Sequence, residues 1–450
     1  MKIKDNSEYP KEDFNVIKPL VDKIADKTLD DLEKEEIFVF PELLGDAKDL
    51  TKDLWVLKSE NGKYRTSNVM GFLGFGNDRL VIESRFCGKN EDYFFQYLLE
   101  KVLDLPNIVD LETDANQDNR LFNYLLFLFP YHLKAAMRKG IFKQYICRKY
   151  NDSNVKGIID IARHIEKNTP FLGNIAYNQR EYSYDNYLIE LIRHTVEFIK
   201  RKIYGKILIH KVNDEVKLIV EATPHYKLYD RQKIIDANKK NPVHHAYYRE
   251  YLALQRLCLL ILQHQKHQIG SGSQQIYGIL FDGAWLWEEY INSLISSAFY
   301  HPRNKIRSGA QHLFYKNIGE IYPDFISRDC KTRIIADAKY KPQENIGKGS
   351  TDFLQILAYM FRFNAKTGYF IYPEANNRYP EAKSNGNLPL WLNKGSTYEN
   401  DVSQRDDISI TKQGLNIPMN ANNYPEFTTQ MSKSEKQLMQ FFSSAPVVPP

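Results

Sequence analysis

Ile321-Tyr322-Pro323-Asp324-Phe325-Ile326, followed by Arg333-Ile334-Ile335-Ala336-Asp337-Ala338-Lys339, is the stretch on which the fold turns. Both halves are apolar runs bounded by charged residues. The turn-type residues Ser327, Arg328, Asp329, Cys330 and Lys331 separate them, which predicts a β-hairpin. A hairpin centred between Cys330 and Lys331 sets Asp324 directly across from Asp337. Side chains alternate along a strand, so Asp337 and Lys339 share one face while Ala338 points to the other. Two carboxylates and one ammonium then converge on a small volume. Like charges side by side are costly to bury unless a cation neutralises them, and carboxylate oxygens suit a hard divalent ion such as Mg2+. The set implies a metal-dependent hydrolytic site; the bland alternative is a surface turn with a Lys–Asp ion pair.

The flanks strengthen the hydrolytic reading. Upstream, Gly283-Ala284-Trp285-Leu286-Trp287-Glu288-Glu289-Tyr290-Ile291 reads as an amphipathic helix bringing a glutamate ahead of the hairpin. Downstream, Asp352-Phe353-Leu354-Gln355-Ile356-Leu357-Ala358-Tyr359 puts Gln355 and Tyr359 on one helix face at i, i+4. The order helix glutamate, Pro-Asp, Asp-x-Lys, Gln-x-x-x-Tyr resembles the PD-(D/E)xK nuclease superfamily. An ordinary helix facing the sheet is the alternative for Gln355 and Tyr359. Glu288 and Glu289 are about 100° apart around a helix, so only one of them is expected to face the site.

Size and composition fit a globular α/β protein of two or three domains: 450 residues, 43% hydrophobic and 26% charged. The net charge of +5 hides an asymmetry. Residues 1–60 hold 10 Lys and 16 Asp or Glu, leaving 51 basic and 40 acidic residues in the rest. An acidic leader and a basic body suit a body that meets phosphate. Cys87, Cys147, Cys258 and Cys330 lie far apart, which predicts reduced thiols and no zinc site. No cleavable signal pattern opens the chain, and the apolar run Tyr124–Tyr131 is too short to span a bilayer. A soluble, cytoplasmic protein without a membrane partner is expected.

Along the chain, residues 1–55 read as a polar, partly helical leader ending in strand-like Ile37–Phe40. Val69–Phe75 and Leu80–Phe86 read as a hairpin about Gly76-Asn77-Asp78, and 92–148 as helical. Lys156–Ile161 is strand-like, and 184–204 is a strong amphipathic helix. Ile207–His210 with Val216–Val220 reads as a hairpin around Asn213-Asp214. A long helix spans 242–267, and Gly270-Ser271-Gly272-Ser273 is the best linker. Thr367–Tyr372 reads as a buried strand and 376–404 as a surface loop. The expected architecture is a mixed α/β N-terminal region over 1–270, then a nuclease domain over 275–450 with a central mixed sheet flanked by helices.

Several segments together resemble the McrC family, the nuclease subunit of McrBC-type restriction systems, especially its LlaJI-like branch. They are Asn68–Phe75 with Leu80–Phe86, Val155–His164, Glu181–Asn186, Leu286–Ile291, Tyr322–Phe325, Asp337–Tyr340 and Gly414–Pro418. They run from about residue 65 to 420, and residues 1–60 carry no matching motif. The resemblance implies that Asp324 and Asp337 bind Mg2+, with Glu288 completing the metal shell or holding a metal-bound water. It implies that Lys339 orients the attacking water or stabilises transition-state charge. Gln355 would orient Lys339 or a phosphate oxygen, with Tyr359 the weaker candidate behind it. The family's Trp-Glu-Glu-Tyr motif favours Glu288 over Glu289.

The resemblance also implies partners: a McrB-like AAA+ GTPase hexamer docked by the N-terminal half, and double-stranded DNA. Dimerisation through the nuclease domain would bring together the two active sites that double-strand cleavage needs. GTP belongs to the partner, since Gly347-Lys348-Gly349-Ser350 lacks the upstream glycine and preceding strand of a P-loop. Two other readings stay open: a catalytically inert GTPase-activating subunit, and a stand-alone repair or structure-selective nuclease. His244-His245 reads as a helix-start surface pair. Arg163-His164, Arg193-His194 and the basic run Lys134–Lys156 fit either a DNA-facing surface or solvated helix faces.

Overall fold

The computed structural model describes residues 1–35, 37–40, 53–76, 78–88, 92–102, 117–202, 205–267, 276–302, 311–375, 388–394 and 402–443. Two compact units emerge: Met1–Glu112 together with Ser273–Pro450, and Thr113–Gly272. The expected split into 1–270 and 275–450 differs from this division. The reason is strand pairing. Tyr277–Asp282 lies between Val69–Phe75, antiparallel, and Phe38–Phe40, parallel, so a strand beyond residue 275 completes the N-terminal sheet. Gly71 permits the close approach, because a Cβ built there would sit 2.1 Å from the Ile279 carbonyl oxygen. The Gly270–Ser273 stretch lies outside the described residues.

The first sheet runs Lys2–Lys4, Asp78–Glu83, Val69–Phe75, Tyr277–Asp282, Phe38–Phe40, and the expected 69–83 hairpin is present. Residues 1–40 are not the polar leader expected. Phe14, Ile17, Leu20, Ile24 and Leu32 are buried in one core with Leu73, Leu80 and Leu280. Charged residues between those apolar positions masked the pattern, because the helices there are short, for example Lys18–Ile24 and Leu29–Lys34.

The second sheet of this unit is mixed, in the order Phe299–Tyr300, Phe325–Ser327, Ile334–Ala338, Thr367–Ala375, Gln404–Ile417, Leu390–Asn393. Phe325–Ser327 and Ile334–Ala338 form the expected hairpin, with Phe325 opposite Ala336 and Ile326 opposite Ile335. That register, extended by one residue, sets Asp324 across from Asp337 as expected. Ile334–Ala338 continues through the helix Thr351–Phe363 into the parallel strand Thr367–Ala375, a βαβ crossover. Leu390–Asn393 is a strand within the segment read as loop, while 376–387 and 395–401 lie outside the described residues.

Thr113–Gly272 holds a three-stranded antiparallel sheet of Gln144–Asp152, Ile175–Ser183 and Ile158–Ile159. Its helices include Gln117–Met137, Tyr187–Lys200 and Glu250–His267. The helical expectation for 92–148 therefore fails after Met137. Gln144–Asp152 pairs with Ile175–Ser183, from 23 residues along (Asp152 opposite Ile175) to 39 (Gln144 opposite Ser183), a pairing that local periodicity cannot reveal. The hairpin expected at 207–220 is instead two helices, Gly205–His210 and Asn213–Ala222. Leu208, Ile209, Val212, Val216 and Ile219 are buried at helical spacing, and packing on Tyr187–Lys200 overrides their β propensity. The long helix expected over 242–267 begins at Glu250; His244 and His245 are exposed ahead of it.

Because residues 1–40 are core, Leu20→Ala is expected to destabilise the unit that contains it by about 2–5 kcal/mol. Chemical denaturation followed by tryptophan fluorescence reads this, and an unshifted midpoint would return the segment to the status of a dispensable leader.

Candidate active site

The site forms where the hairpin strands end at the sheet's charged edge. Asp337 is 1% exposed on the interior strand Ile334–Ala338, whose backbone is paired on both sides. Asp324 immediately precedes Phe325–Ser327, and its Oδ2 accepts a hydrogen bond of 2.8 Å from the Ala338 N–H. Lys339, one residue past the strand, places Nζ 2.6 Å from Asp337 Oδ2. The Lys339 ammonium is thus the charge partner of a buried Asp337 Oδ2.

Charges dominate this volume. Burial first, then the Asp337 and Glu288 carboxylates, hold the Asp324 carboxyl well above the usual carboxylate range, against the pull of Lys339 and the Ala338 N–H. Burial lowers the Lys339 pKa, but Asp337, Asp324 and Asp352 outweigh it and hold that ammonium above the ordinary lysine value. Repulsion within the acidic pair and attraction to one lysine are two sides of the same arrangement.

The helix Thr351–Phe363 supplies the next layer. Lys339 Nζ donates to Gln355 Oε1 at 3.0 Å, and Gln355 Nε2 donates to the Tyr359 hydroxyl at 2.8 Å. Burial raises the Tyr359 pKa, partly opposed by the Gln355 bond. The amide thus fixes the ammonium on one side and is itself fixed on the other. Asp352, quoted in the sequence only as the start of this helix, takes part as well. Its Oδ1 lies 3.7 Å from Lys339 Nζ, and its Oδ2 takes 2.6 Å from Lys341 Nζ and 2.8 Å from the Gly347 N–H.

Glu288 rides on Gly283–Ile295, capped by Asp282 accepting from the Ala284 N–H. Trp287, fully buried, donates Nε1 to the Ile371 carbonyl at 3.1 Å and so ties this helix to the neighbouring strand. Of the two glutamates, Glu288 is the one whose charge acts on Asp324, while Glu288 Oε1 and Glu289 Oε1 lie 3.5 and 3.7 Å from the same nitrogen, His301 Nε2. A ring set against the helix between successive side chains is within reach of both. His301 itself carried no motif. Its only sequence signal is its place beside Phe299–Tyr300, whose strand partner lies far along the chain.

Asp324, Asp337, Lys339 and Gln355 are therefore in one place, and Glu288 is close enough for its charge to act on Asp324. Among the described residues no three His, Cys, Asp or Glu side chains form a ready metal cage. A two-carboxylate site still suits Mg2+, which keeps several waters and takes one or two carboxylates. The acidic pair, in which burial and the Asp337 carboxylate hold Asp324 above the usual carboxylate range, fits a cation. Elsewhere, Arg163 bonds inward to the Tyr150 and Tyr177 carbonyls and Asn178 Oδ1, and His194 is buried, so these two do not offer a DNA surface. All four cysteines are free, and among the described residues no helix is long and apolar enough to cross a membrane.

Comparison with known proteins returns no match among curated sequences. Among solved structures, the chain is similar to one titled as a half-complex of Thermococcus gammatolerans McrB AAA+ hexamers with bound McrC. Identity is 16%, with 97% of this chain and 99% of that chain covered, at a TM-score of 0.47. It is also similar to a cryo-EM structure of the Thermococcus gammatolerans McrBC complex, with 18% identity, 66% of this chain and 87% of that chain covered, and a TM-score of 0.31. A family model described as McrBC 5-methylcytosine restriction system component matches residues 64–373, more than half of the 450. On that match the chain belongs to the family of McrBC 5-methylcytosine restriction system components.

Proposed function

We propose that this chain is the Mg2+-dependent endonuclease subunit of a GTP-dependent restriction complex, cleaving double-stranded DNA and stimulating an AAA+ GTPase partner. The observation that carries the reading is the juxtaposition of part-buried Asp324 and buried Asp337, with Lys339 Nζ 2.6 Å from Asp337. When bound, a divalent ion supplies Lewis acidity toward a phosphoryl oxygen and toward water. The residues supply the rest. Asp324 and Asp337 would hold the ion, with Glu288 completing its shell or holding a bound water. Lys339, steadied by Gln355, places a positive charge where negative charge builds up on the phosphate. Tyr359 steadies Gln355 in turn.

Family membership supports the partner class, and one surface feature fits it. In Thr113–Gly272, Ile158, Ile161, Ile165, Phe171 and Leu172 are each 60% exposed or more. Large apolar side chains crowded into so short a stretch mark a protein contact. The intact Asp324, Asp337, Lys339 and Gln355 set weighs against the inert-subunit reading. Nuclease, GTPase stimulation and cytoplasmic location stand together as one reading.

Asp337→Ala is expected to lower DNA cleavage by about 100-fold or more while partner GTP turnover persists. Cleavage and turnover measured in one reaction test this, and undiminished cutting would remove Asp337 from the chemistry. Cutting by the chain with Mg2+ and no GTPase would favour the stand-alone nuclease. In chelator, Asp324→Asn is expected to raise the melting temperature at neutral pH. The Asp324 pKa is raised in the fold, so its ionisation destabilises the folded chain as pH climbs through the folded value. The gain should vanish below the unfolded aspartate range; an equal gain at every pH would contradict the electrostatic origin. Ile158→Glu with Leu172→Glu is expected to weaken partner binding about tenfold or more without changing cleavage-site geometry. Unaltered binding would move the docking surface elsewhere.

A further inference from the structure

We propose that His301 is a positioning residue of the cleavage centre, tying the glutamates of the Gly283–Ile295 helix to the backbone of Asp324. The inference rests on the nuclease reading above and adds a residue that neither motif nor resemblance supplies.

The placement follows from strand pairing. Phe299–Tyr300 runs antiparallel to Phe325–Ser327 with Tyr300 opposite Ile326, so His301 comes beside Phe325. Its ring centroid lies 5.2 Å from that of Phe325. His301 Nδ1 is 2.7 Å from the Asp324 carbonyl oxygen. A carbonyl only accepts, so Nδ1 carries the hydrogen. The other nitrogen then faces Glu288 at 3.5 Å and Glu289 at 3.7 Å. With 9% of its side chain exposed, the ring has little freedom to leave.

One imidazole therefore joins three elements: the glutamate helix, the edge strand that precedes it in space, and the start of the Asp324 strand. Asp324 lies outside the ladder of its own strand, whose paired residues begin at Phe325. Its carbonyl bond to His301 and its carboxylate bond to the Ala338 N–H restrain the two ends of the residue separately. A carboxylate held this way stays beside Asp337 despite their repulsion. Groups that orient a ligand from behind typically alter metal affinity or activity 10–100-fold when removed. Misplacement by an ångström can cost as much. The other account of His301 is that it merely fills space beside Phe325.

The test uses the full chain with its GTPase partner, comparing His301→Ala and His301→Asn. The Asn amide nitrogen can occupy the place of Nδ1 and keep the bond to the Asp324 carbonyl. Expected for His301→Ala are a kcat for DNA cleavage lower by about 10–100-fold, a higher Mg2+ requirement, and weaker Mn2+ binding to the free chain by calorimetry. Partner GTP turnover should persist. His301→Asn should restore most of the cleavage and the Mn2+ binding, which a space-filling role would not allow. Normal kcat and metal requirement in His301→Ala overturn the proposal. So does an Asn variant that melts normally but recovers nothing. Should the Ala variant fail to fold, the Asn variant alone decides. If Asp337→Ala also cuts DNA normally, the nuclease reading itself falls; if it is inactive while His301→Ala is normal, only the positioning role falls.

Discussion

Repulsion between two carboxylates, Asp324 and Asp337, is the constraint around which the second sheet is arranged. Both sit where strands end, with one ammonium 2.6 Å from Asp337. Left to themselves in low dielectric, such groups would separate or take up a proton. The fold prevents separation by giving Asp337 an interior strand, hydrogen-bonded to an antiparallel neighbour and a parallel one. The parallel neighbour requires a crossover helix, and that helix delivers Gln355, Tyr359 and Asp352 to the lysine. The carboxyl end of a parallel strand is where open α/β sheets place their ligands. Here that end carries Asp337 and Lys339.

The same unit spreads the mechanical load onto the first sheet. Tyr340 follows Lys339; its hydroxyl lies 2.8 Å from Ser84 Oγ, and the Arg85 guanidinium sits 4.8 Å over its ring. Arg85 is in turn paired with buried Asp5 at 2.7 Å and bonded to Asn68. Trp287 ties the Glu288 helix to Ile371, and Tyr97 and Tyr290 both donate to Glu435. Breaking either partner of a buried ion pair costs several kcal/mol, roughly 3–5. The motif residues of the first sheet thus brace the strand that carries the lysine.

How much could be read from residues alone divides along the distance of each contact in the chain. The hairpin register, the Glu288 helix and the Gln355–Tyr359 face depend on neighbours within a few turns, and periodicity exposes them. His301 depends on a two-residue strand whose paired residues in Phe325–Ser327 lie 26 and 28 residues away, and nothing local marks it. Gln144–Asp152 fails for the same reason, and its basic residues invited a helical reading. The helices Gly205–His210 and Asn213–Ala222 fail for a different one. Their isoleucines and valines favour strands in isolation, and only burial against Tyr187–Lys200 decides the matter. The first forty residues show the opposite error, where abundant charge concealed a regular set of core positions.

Lys339 also bears on where control over cleavage would lie. The lysine is seated between Asp337 and Gln355, and Gln355 is bonded to Tyr359, all through contacts within one chain. Such a chain of charge-assisted bonds is preorganised, so little free energy remains to be gained by assembling it on demand. Gly347-Lys348-Gly349-Ser350 is a turn whose Gly347 N–H serves Asp352. On the proposed reading, the centre is built by contacts within this chain, which leaves the delivery of DNA, and not the arrangement of these side chains, as the step for a GTPase partner to act on.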